Sequence, residues 1–462
     1  FDLTIIIAGA GKVGATLAEH LADEGHSVTI VDVSGETLDR LGNQLDVMCL
    51  KGNCVSREML LEAGCKETDV LIAATGSDEI NLLCCHIAHR LGVPYTVARV
   101  RGTEYVSDLD TLKSDFGITM LINPELTAAV EISRLLRFPS AANIDSFARG
   151  RVELVSFSVQ EGDFLAGRTL ASQSSKIQDL PMLLCAVERG DEVFIPNGAS
   201  LISAGDRVSI AGTPSGINQF FKLLGRQTHR IRDVFIIGGG RIAFYLLVQL
   251  ERLGMSCKVV EKGEERCREL AEEFPRALVI HGDGTDPELL TEERMSSSDA
   301  FVALTDRDED NLIISLYAHQ AGVSKVVAKS SRQNYTAIAR SAGVESVVSP
   351  KLATVGLILR FIRGLQNSKG TVMNALYRIA GGKAEAMEFI ASPATRNLKT
   401  PLRDLRLRRG VLIAVIVRGN KVIIPEGSTC LEAGDDVIVI ARDSGILDLN
   451  DIYEGSGLAA GG

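Results

Sequence analysis

The chain has 462 residues, 45% of them hydrophobic and 23% charged, with a formal net charge of -10. That length exceeds one core and points to three or four domains, while the acidic balance gives nucleic-acid binding no electrostatic support. No apolar run approaches the roughly 20 residues of a bilayer crossing, no secretory leader reads at the start, where Asp2 takes the place of a basic n-region, and nine cysteines without a CxxC fit a reducing compartment.

In chain order, the apolar run TIIIAG leads into Gly9-Ala10-Gly11-Lys12-Val13-Gly14 and a helix over Lys12 to Glu24. SVTIVD follows and ends at Asp32, then VMCLKG, which delivers Asn53. VLIAAT ends at Thr75 and Gly76, a helix runs over Asp78 to Leu91, and YTVARV carries Arg99. Uninterrupted apolar strands alternating with helices belong to a parallel sheet buried on both faces, which predicts a Rossmann-like, doubly wound α/β fold. Weakly periodic residues from Phe138 to Gly150 read as a linker. Beyond it, LCAVERGDEVFIPNG sets Gly190 between two apolar runs, a hairpin signal, and SAGDRVSIAG adds a turn and a strand. This predicts a small β-rich α+β domain.

The pattern then repeats. Gly9 falls on Gly238 at an offset of 229, and AATGSDEINLLCCHIAHRLGV (Ala73 to Val93) lies over ALTDRDEDNLIISLYAHQAGV (Ala303 to Val323). VERGDEVFIPNGASLISAGDRVSI similarly lies over VRGNKVIIPEGSTCLEAGDDVIVI, and residues from Gly370 to Glu385 read as a second linker. A tandem duplication therefore gives four modules, expected at 1–138, 139–225, 230–369 and 370–452, with a frayed tail GSGLAAGG.

Each larger module carries a dinucleotide-type fingerprint in the required context of strand, glycine turn, helix and distal acid. Gly9 permits the sharp turn, Gly11 lets backbone approach a pyrophosphate, and Gly14 lets helix pack on strand. The phosphates would then meet free N–H groups at the positive end of a helix. Asp32 lies 23 residues beyond Gly9, where its carboxylate can accept ribose hydroxyls and would repel a 2′-phosphate, disfavouring NADP. The second copy reads Gly238-Gly239-Gly240-Arg241-Ile242 with Ala243 in the third glycine position, and Glu261 lies 23 residues beyond Gly238. Lys12 and Arg241 can bend over phosphate, and Arg99 and Lys329 close a later strand at its ligand-facing end; each also reads as a solvated charge. Asn53 and Asp283 end the third strand, Thr75 and Thr305 the fourth, as direct contacts or as turn and cap residues.

Catalytic signatures are missing: the sequence holds no P-loop, GxSxG or HExxH motif. His89 and His319 align on a helix and read as packing or surface residues. Cys84, Cys85, His86 and His89 suggest a metal cluster only until the repeat replaces the first three with Ile314, Ser315 and Leu316; no metal site is expected.

The order of modules, with GAGKVG…VD, ATGSDEINLL…ARVR, INPE, and in both small domains RG[DN]xVxIPxG and AGD, resembles TrkA-type potassium-uptake regulatory proteins, built of RCK-N (KTN) and RCK-C (TrkA-C) domains. The resemblance covers nearly the whole chain. It implies a non-enzymatic cytoplasmic subunit, peripheral at the inner face of the plasma membrane and held there only by a potassium-transporter pore subunit of the TrkH/KtrB type. It also implies a homo-oligomer, a tetramer forming a ring of eight RCK units, with NAD, NADH, ATP or ADP as non-catalytic ligands. Carried onto this chain, the contacts fall on Gly9 to Val13, Asp32, Thr75 and Arg99, and on Gly238 to Ile242, Glu261, Thr305 and Lys329. In some relatives the glutamate of INPE nears a neighbouring subunit's nucleotide; Glu125 fits, whereas Lys351 stands in the second copy. Ala243 and Asp306-Arg307 also depart from the family pattern. The rival readings are an NAD-dependent oxidoreductase and a ligand-sensing RCK module of another cation transporter.

Overall fold

A computed structural model describes residues 2–103, 105, 109–138, 141–190, 192–226, 231–366, 373–442 and 445–454. The tail 455–462 and the first residues of all four expected modules (1, 139, 230 and 370) lie outside them. The first unit runs β1 (Thr4–Ala8), α1 (Lys12–Asp23), β2 (Ser27–Asp32), α2 (Gly35–Gly42), β3 (Met48–Lys51), α3 (Arg57–Glu62), β4 (Val70–Ala73), α4 (Asp78–Arg90), β5 (Tyr95–Arg99), α5 (Leu109–Phe116), β6 (Met120–Ile122) and α6 (Pro124–Arg137). The small domain follows with β7 (Asn143–Phe147), β8 (Val152–Ser158), β9 (Arg168–Thr169), α7 (Leu170–Ile177), β10 (Met182–Arg189), β11 (Glu192–Phe194), β12 (Leu201–Ile202), β13 (Arg207–Gly212) and α8 (Pro214–Leu223).

The second unit runs β14 (Asp233–Ile237), α9 (Arg241–Leu253), β15 (Ser256–Glu261), α10 (Glu264–Glu273), β16 (Leu278–His281), α11 (Pro287–Glu292), β17 (Ala300–Ala303), α12 (Asp308–Gln320), β18 (Lys325–Lys329), α13 (Gln333–Ser341), β19 (Ser346–Val348) and α14 (Pro350–Gln366). Its small domain holds β20 (Met373–Ile379), β21 (Ala384–Ile390), β22 (Val411–Arg418), β23 (Lys421–Ile423) and β24 (Asp436–Ala441).

Both large sheets are six-stranded and parallel, ordered β3-β2-β1-β4-β5-β6 and β16-β15-β14-β17-β18-β19. The order reverses between β1 and β4, and again between β14 and β17, which opens a crevice at the strands' carboxyl ends. β1 and β4 are apolar along their length because helices cover both faces, and Ile5, Ile6, Ile7 and Leu71 are fully buried. The small sheets are antiparallel, ordered β11-β10-β13-β8-β7 and β20-β21-β24-β22-β23. Their hairpins turn at Gly190 and Gly419, with φ of 58° and 59°. In each, the acid of AGD is buried and clamps the strand beside it: Asp206 binds Arg189 at 2.7 Å and Asp435 binds Arg418 at 2.8 Å.

The expected linkers are not linkers. Asn143–Phe147 and Met373–Ile379 are edge strands paired with β8 and β21. An edge strand half-covered by its neighbours has no clean two-residue alternation, which is why the sequence pattern looked weak there.

Each unit also covers the other. Helix α6 leaves its own sheet and packs on α9, and α14 packs on α1. Ala128, Ile132 and Leu135 of α6 share a core with Ile242, Leu246 and Leu250, while Ile358 and Ile362 of α14 share one with Leu17 and Leu21. The two small sheets bury Cys185 and Ala186 in common with Ala386 and Ile438. The halves therefore form one body, and the two crevices are fixed relative to each other.

Candidate functional site

The first crevice starts where β1 stops. Gly9 takes φ +104°, and a Cβ on it would sit 2.9 Å from the carbonyl of Ala74 at the end of β4, so only glycine lets the two strands splay here. Gly11 caps α1 without any side-chain hydrogen bond, and a Cβ built there meets nothing within 4 Å. Unpaired N–H groups at the positive end of α1 thus face open space, with the exposed Lys12 beside them. Ala10 and Val13 are buried behind the turn. Gly238, at φ +92° against Leu304, and Gly240, also open, rebuild this arrangement ahead of Arg241 and the buried Ile242.

Asp32 braces the turn. It accepts from the Ala10 N–H at 2.6 Å and the Ser34 N–H at 2.8 Å. Glu261 does the same with Gly239 at 2.6 Å and Gly263 at 2.8 Å. The longer glutamate reaches further under its turn, where a Cβ on Gly239 would lie 3.1 Å from it. Both carboxylates therefore hold loop geometry.

Thr75 and Thr305 belong to a hub that the sequence reading missed. Asn81, fully buried, accepts from the Thr75 N–H at 2.8 Å and hydroxyl at 2.7 Å, and donates to the Arg99 carbonyl at 2.9 Å. Asn311 repeats every one of these bonds to Thr305 and Lys329. One amide so ties the ends of two strands that form the crevice floor. The signal was present, since Asn81 and Asn311 align in the repeat, but an asparagine on a helix carries no motif of its own. Asn53 and Asp283 are spent on turns: Asn53 accepts from the Val55 N–H at 3.1 Å, and Asp283 binds Thr285 and, at 3.0 Å, Lys262. Gly76 lies beside open space, and its carbonyl accepts from Arg101.

Arg99 is held inward, its guanidinium donating to the Thr75 carbonyl while its buried Nε has no partner. Burial, and then the neighbouring Arg101, pull its pKa below the ordinary arginine value. Lys329 is likewise lowered by burial, with Asp306 at 4.0 Å. Glu125 sits at the start of α6 with a buried, unpartnered Oε2, and burial pushes its carboxyl up. These charges cross between units. Arg241 acts on Arg99 and Glu125, and Lys12 and Glu125 act on Lys329. Tyr245 of α9 completes the junction, donating to the Arg101 carbonyl at 3.0 Å and accepting from Asn123 at 2.9 Å.

Open space over two helix N-termini, together with an orphaned arginine nitrogen, fits a phosphate-bearing ligand. His89 and His319 stand apart from this chemistry and pack over Gly117 and Gly343, where a Cβ would overlap each ring at 2.3 and 2.4 Å. Among the described residues no His, Cys, Asp or Glu cluster could hold a metal ion, and the nine cysteines are free thiols.

Comparison with known proteins agrees with this construction. The TrkA-N domain model matches residues 5–124 and 234–350, and the TrkA-C domain model matches 154–225 and 392–453. The chain belongs to the TrkA family. It is 33% identical over 458 residues to Trk system potassium uptake protein TrkA homolog 1 of Methanosarcina mazei, covering 97% of this chain and 99% of that one. It is 34% identical over 446 residues to TrkA of Halomonas elongata, covering 96% of each. Among solved structures, the GsuK channel superposes with a TM-score of 0.63 at 18% identity, over 96% of this chain and 77% of that one. A structure described as the GsuK channel bound to NAD gives 0.62 at 18% identity with the same coverage. The fold is thus that of tandem RCK domains. Among the described residues no helix is long and apolar enough to cross a membrane.

Proposed function

We propose that this chain is the nucleotide-sensing regulatory subunit of a Trk-type potassium uptake system. It acts in the cytoplasm, against the inner face of the membrane, on a TrkH/KtrB-type pore subunit. The four modules work as nucleotide-binding units (1–138 and 230–369) joined to small domains (139–225 and 370–452), and tetramers of the chain close a ring of eight RCK units. The observation that carries the reading is the junction between the units, where Tyr245 of α9 donates to the Arg101 carbonyl at 3.0 Å and accepts from Asn123 at 2.9 Å beside the first crevice. A ligand in either crevice is felt by the other unit.

The pyrophosphate of NAD or NADH, or the phosphates of ATP or ADP, would lie over Gly9 to Val13 and over Gly238 to Ile242. Asp32 and Glu261 would take ribose hydroxyls, with Arg99 and Lys329 taking phosphate charge. Nothing in this role needs turnover. The ligand acts by binding two ring shapes unequally, because a third phosphate puts charge at Lys12 or Arg241 that a dinucleotide puts elsewhere. Moving an equilibrium from 1:99 to 99:1 takes roughly 5.5 kcal/mol of differential binding, which several crevices per ring share. The named activity of the TrkA relatives and the NAD held by a GsuK channel of the same fold support this reading.

The test is potassium flux through vesicles carrying the pore subunit and this chain. Flux should change between ATP and NADH, and the Arg99→Gln and Arg241→Gln variants should blunt the change together. Nucleotide-independent flux would refute the reading, as would oxidation of NADH by the chain alone with candidate hydroxy or amino acids.

A further inference from the structure

The duplication places two corresponding corners behind the crevices, and they are filled differently. In one, Arg363 of α14 is 1% exposed and bound to Glu385 at 2.9 Å and Glu24 at 2.7 Å. Arg378 reaches the same Glu24 at 3.4 Å, so two arginines and two carboxylates close on each other. Strand register gives the counterparts. Glu385 pairs with Ala441, and Glu153 with Gly212, at the same rung of the two small sheets. Counted from Pro124 and Pro350, which open α6 and α14, Arg137 answers to Arg363; counted from Gly11 and Gly240, which cap α1 and α9, Leu253 answers to Glu24.

No carboxylate enters the second corner from the helix, because Leu253 packs into the apolar core there. Arg134, Arg137 and Arg149 make no ion pair among the described residues. Together with Ser146 and Glu153 they line an open cleft of about 380 Å³, bounded by Pro214. Arg149 is placed deliberately by the backbone, since Ala148, Arg149 and Gly150 take successive positive φ values of 48°, 58° and 86°. A left-handed arginine is uncommon, and the aligned position in the other small domain is Gly381. Glu153 is 8% exposed, and its Oε2 has no hydrogen bond.

Charge in the cleft is therefore unbalanced. The carboxylates acting on Arg134 are Glu131, Asp145 and Glu153, the last acting on Arg137 as well; burial pushes the first two up to about 8 and about 7 and raises Glu153 too, so three guanidinium groups are offset only partly near neutrality. Guanidinium forks match oxyanions, and the buried Glu153 oxygen calls for a donor that a bare oxyanion does not bring. We propose that this cleft binds a small phosphate monoester bearing hydroxyl groups, its phosphate held by Arg134, Arg137 and Arg149 and a hydroxyl donating to Glu153. The site is separate from the crevices: Arg137 is twelve residues along α6 from Glu125, roughly 18 Å at the helical rise. Since α6 spans both, occupancy of the cleft would bear on the helix that joins the units.

Calorimetric titration of the full chain with ribose 5-phosphate, and separately with inorganic phosphate, tests this. Ribose 5-phosphate should bind the more tightly. The paired exposed substitutions Arg137→Gln and Arg149→Gln should lower its affinity at least about tenfold, with the unfolding midpoint unchanged. Lys12→Gln paired with Arg241→Gln should leave that affinity within about twofold, whether or not the crevices bind nucleotide. The proposal is overturned if neither sugar phosphate nor phosphate binds at about 10 mM, if the crevice pair abolishes binding and the cleft pair does not, or if the two probes bind equally.

Discussion

Asp32 and Glu261 brace their glycine turns with the same two backbone bonds, and Asn81 and Asn311 tie the crevice floors identically, yet the rims have diverged. Val33 and Thr37 beside the first acid become Lys262 and Arg266 beside the second, and Arg266 donates to the Gly239 carbonyl at 2.7 Å. Glu125 at the head of α6 becomes Lys351 at the head of α14. The duplication thus kept the scaffold, which any crevice of this kind needs, and let the charges at the rims drift. On the proposed function, unlike rims would let the two crevices prefer different nucleotides, which two identical rims could not.

The sharpest way to break the comparison is at the corners. Arg363→Ala leaves the buried Glu385 and the half-buried Glu24 with only the more distant Arg378, and should cost about 3 kcal/mol in urea unfolding, while Arg137→Ala, exposed and unpaired, should stay within about 0.5 kcal/mol. Equal losses would mean that the two corners are not unlike. The floors should instead behave alike. Asn81→Ala and Asn311→Ala each strip a fully buried hub and should each cost about 3 kcal/mol in the same assay; a silent member of the pair would undo the equivalence. The third glycine position separates the units again. A Cβ on Gly14 would lie 1.9 Å from the Gly9 carbonyl oxygen, so Gly14→Ala should cost about 2 kcal/mol, whereas Ala243→Gly should cost about 1 kcal/mol or less through backbone entropy. Melting curves of the two variants check this.

A pH dependence confined to one unit separates them further. Lys325, 4% exposed, donates to the Ala141 carbonyl and to Ser346 at 2.9 Å, and burial lowers its pKa to about 7, with Glu345 and Arg207 acting on it. Its counterpart Tyr95 instead stacks edge-on against Phe361 at 6.2 Å. Between about 7 and the ordinary 10.5 the unfolded chain holds a proton that the folded one lacks, so stability should rise with pH across that window. Lys325→Met should flatten that rise, and unchanged slopes in urea titrations from about pH 7 to 9 would contradict it.

Much of this was legible in the residues. Continuous apolar runs such as TIIIAG and VLIAAT announced strands buried on both faces, and the glycine turns followed from strand-to-helix context. The linkers misled because Asn143–Phe147 and Met373–Ile379 are edge strands, where burial is too partial to pattern the sequence. Neither the exchange of α6 and α14 between units nor the seating of Tyr245 against Arg101 and Asn123 could be read, since both depend on packing between segments over a hundred residues apart. Asn81 went unnoticed for a different reason: one buried amide making four bonds looks, in sequence, like any helical asparagine.

The central claim is that both crevices hold nucleotide through the braced glycine turns. Calorimetric titration of the purified chain with NADH and with ATP, alongside Asp32→Ala and Glu261→Ala, tests it most directly. Wild type should show two sites of different affinity, each variant losing one of them by at least about tenfold. Absence of binding, or affinities untouched in both variants, would contradict the account.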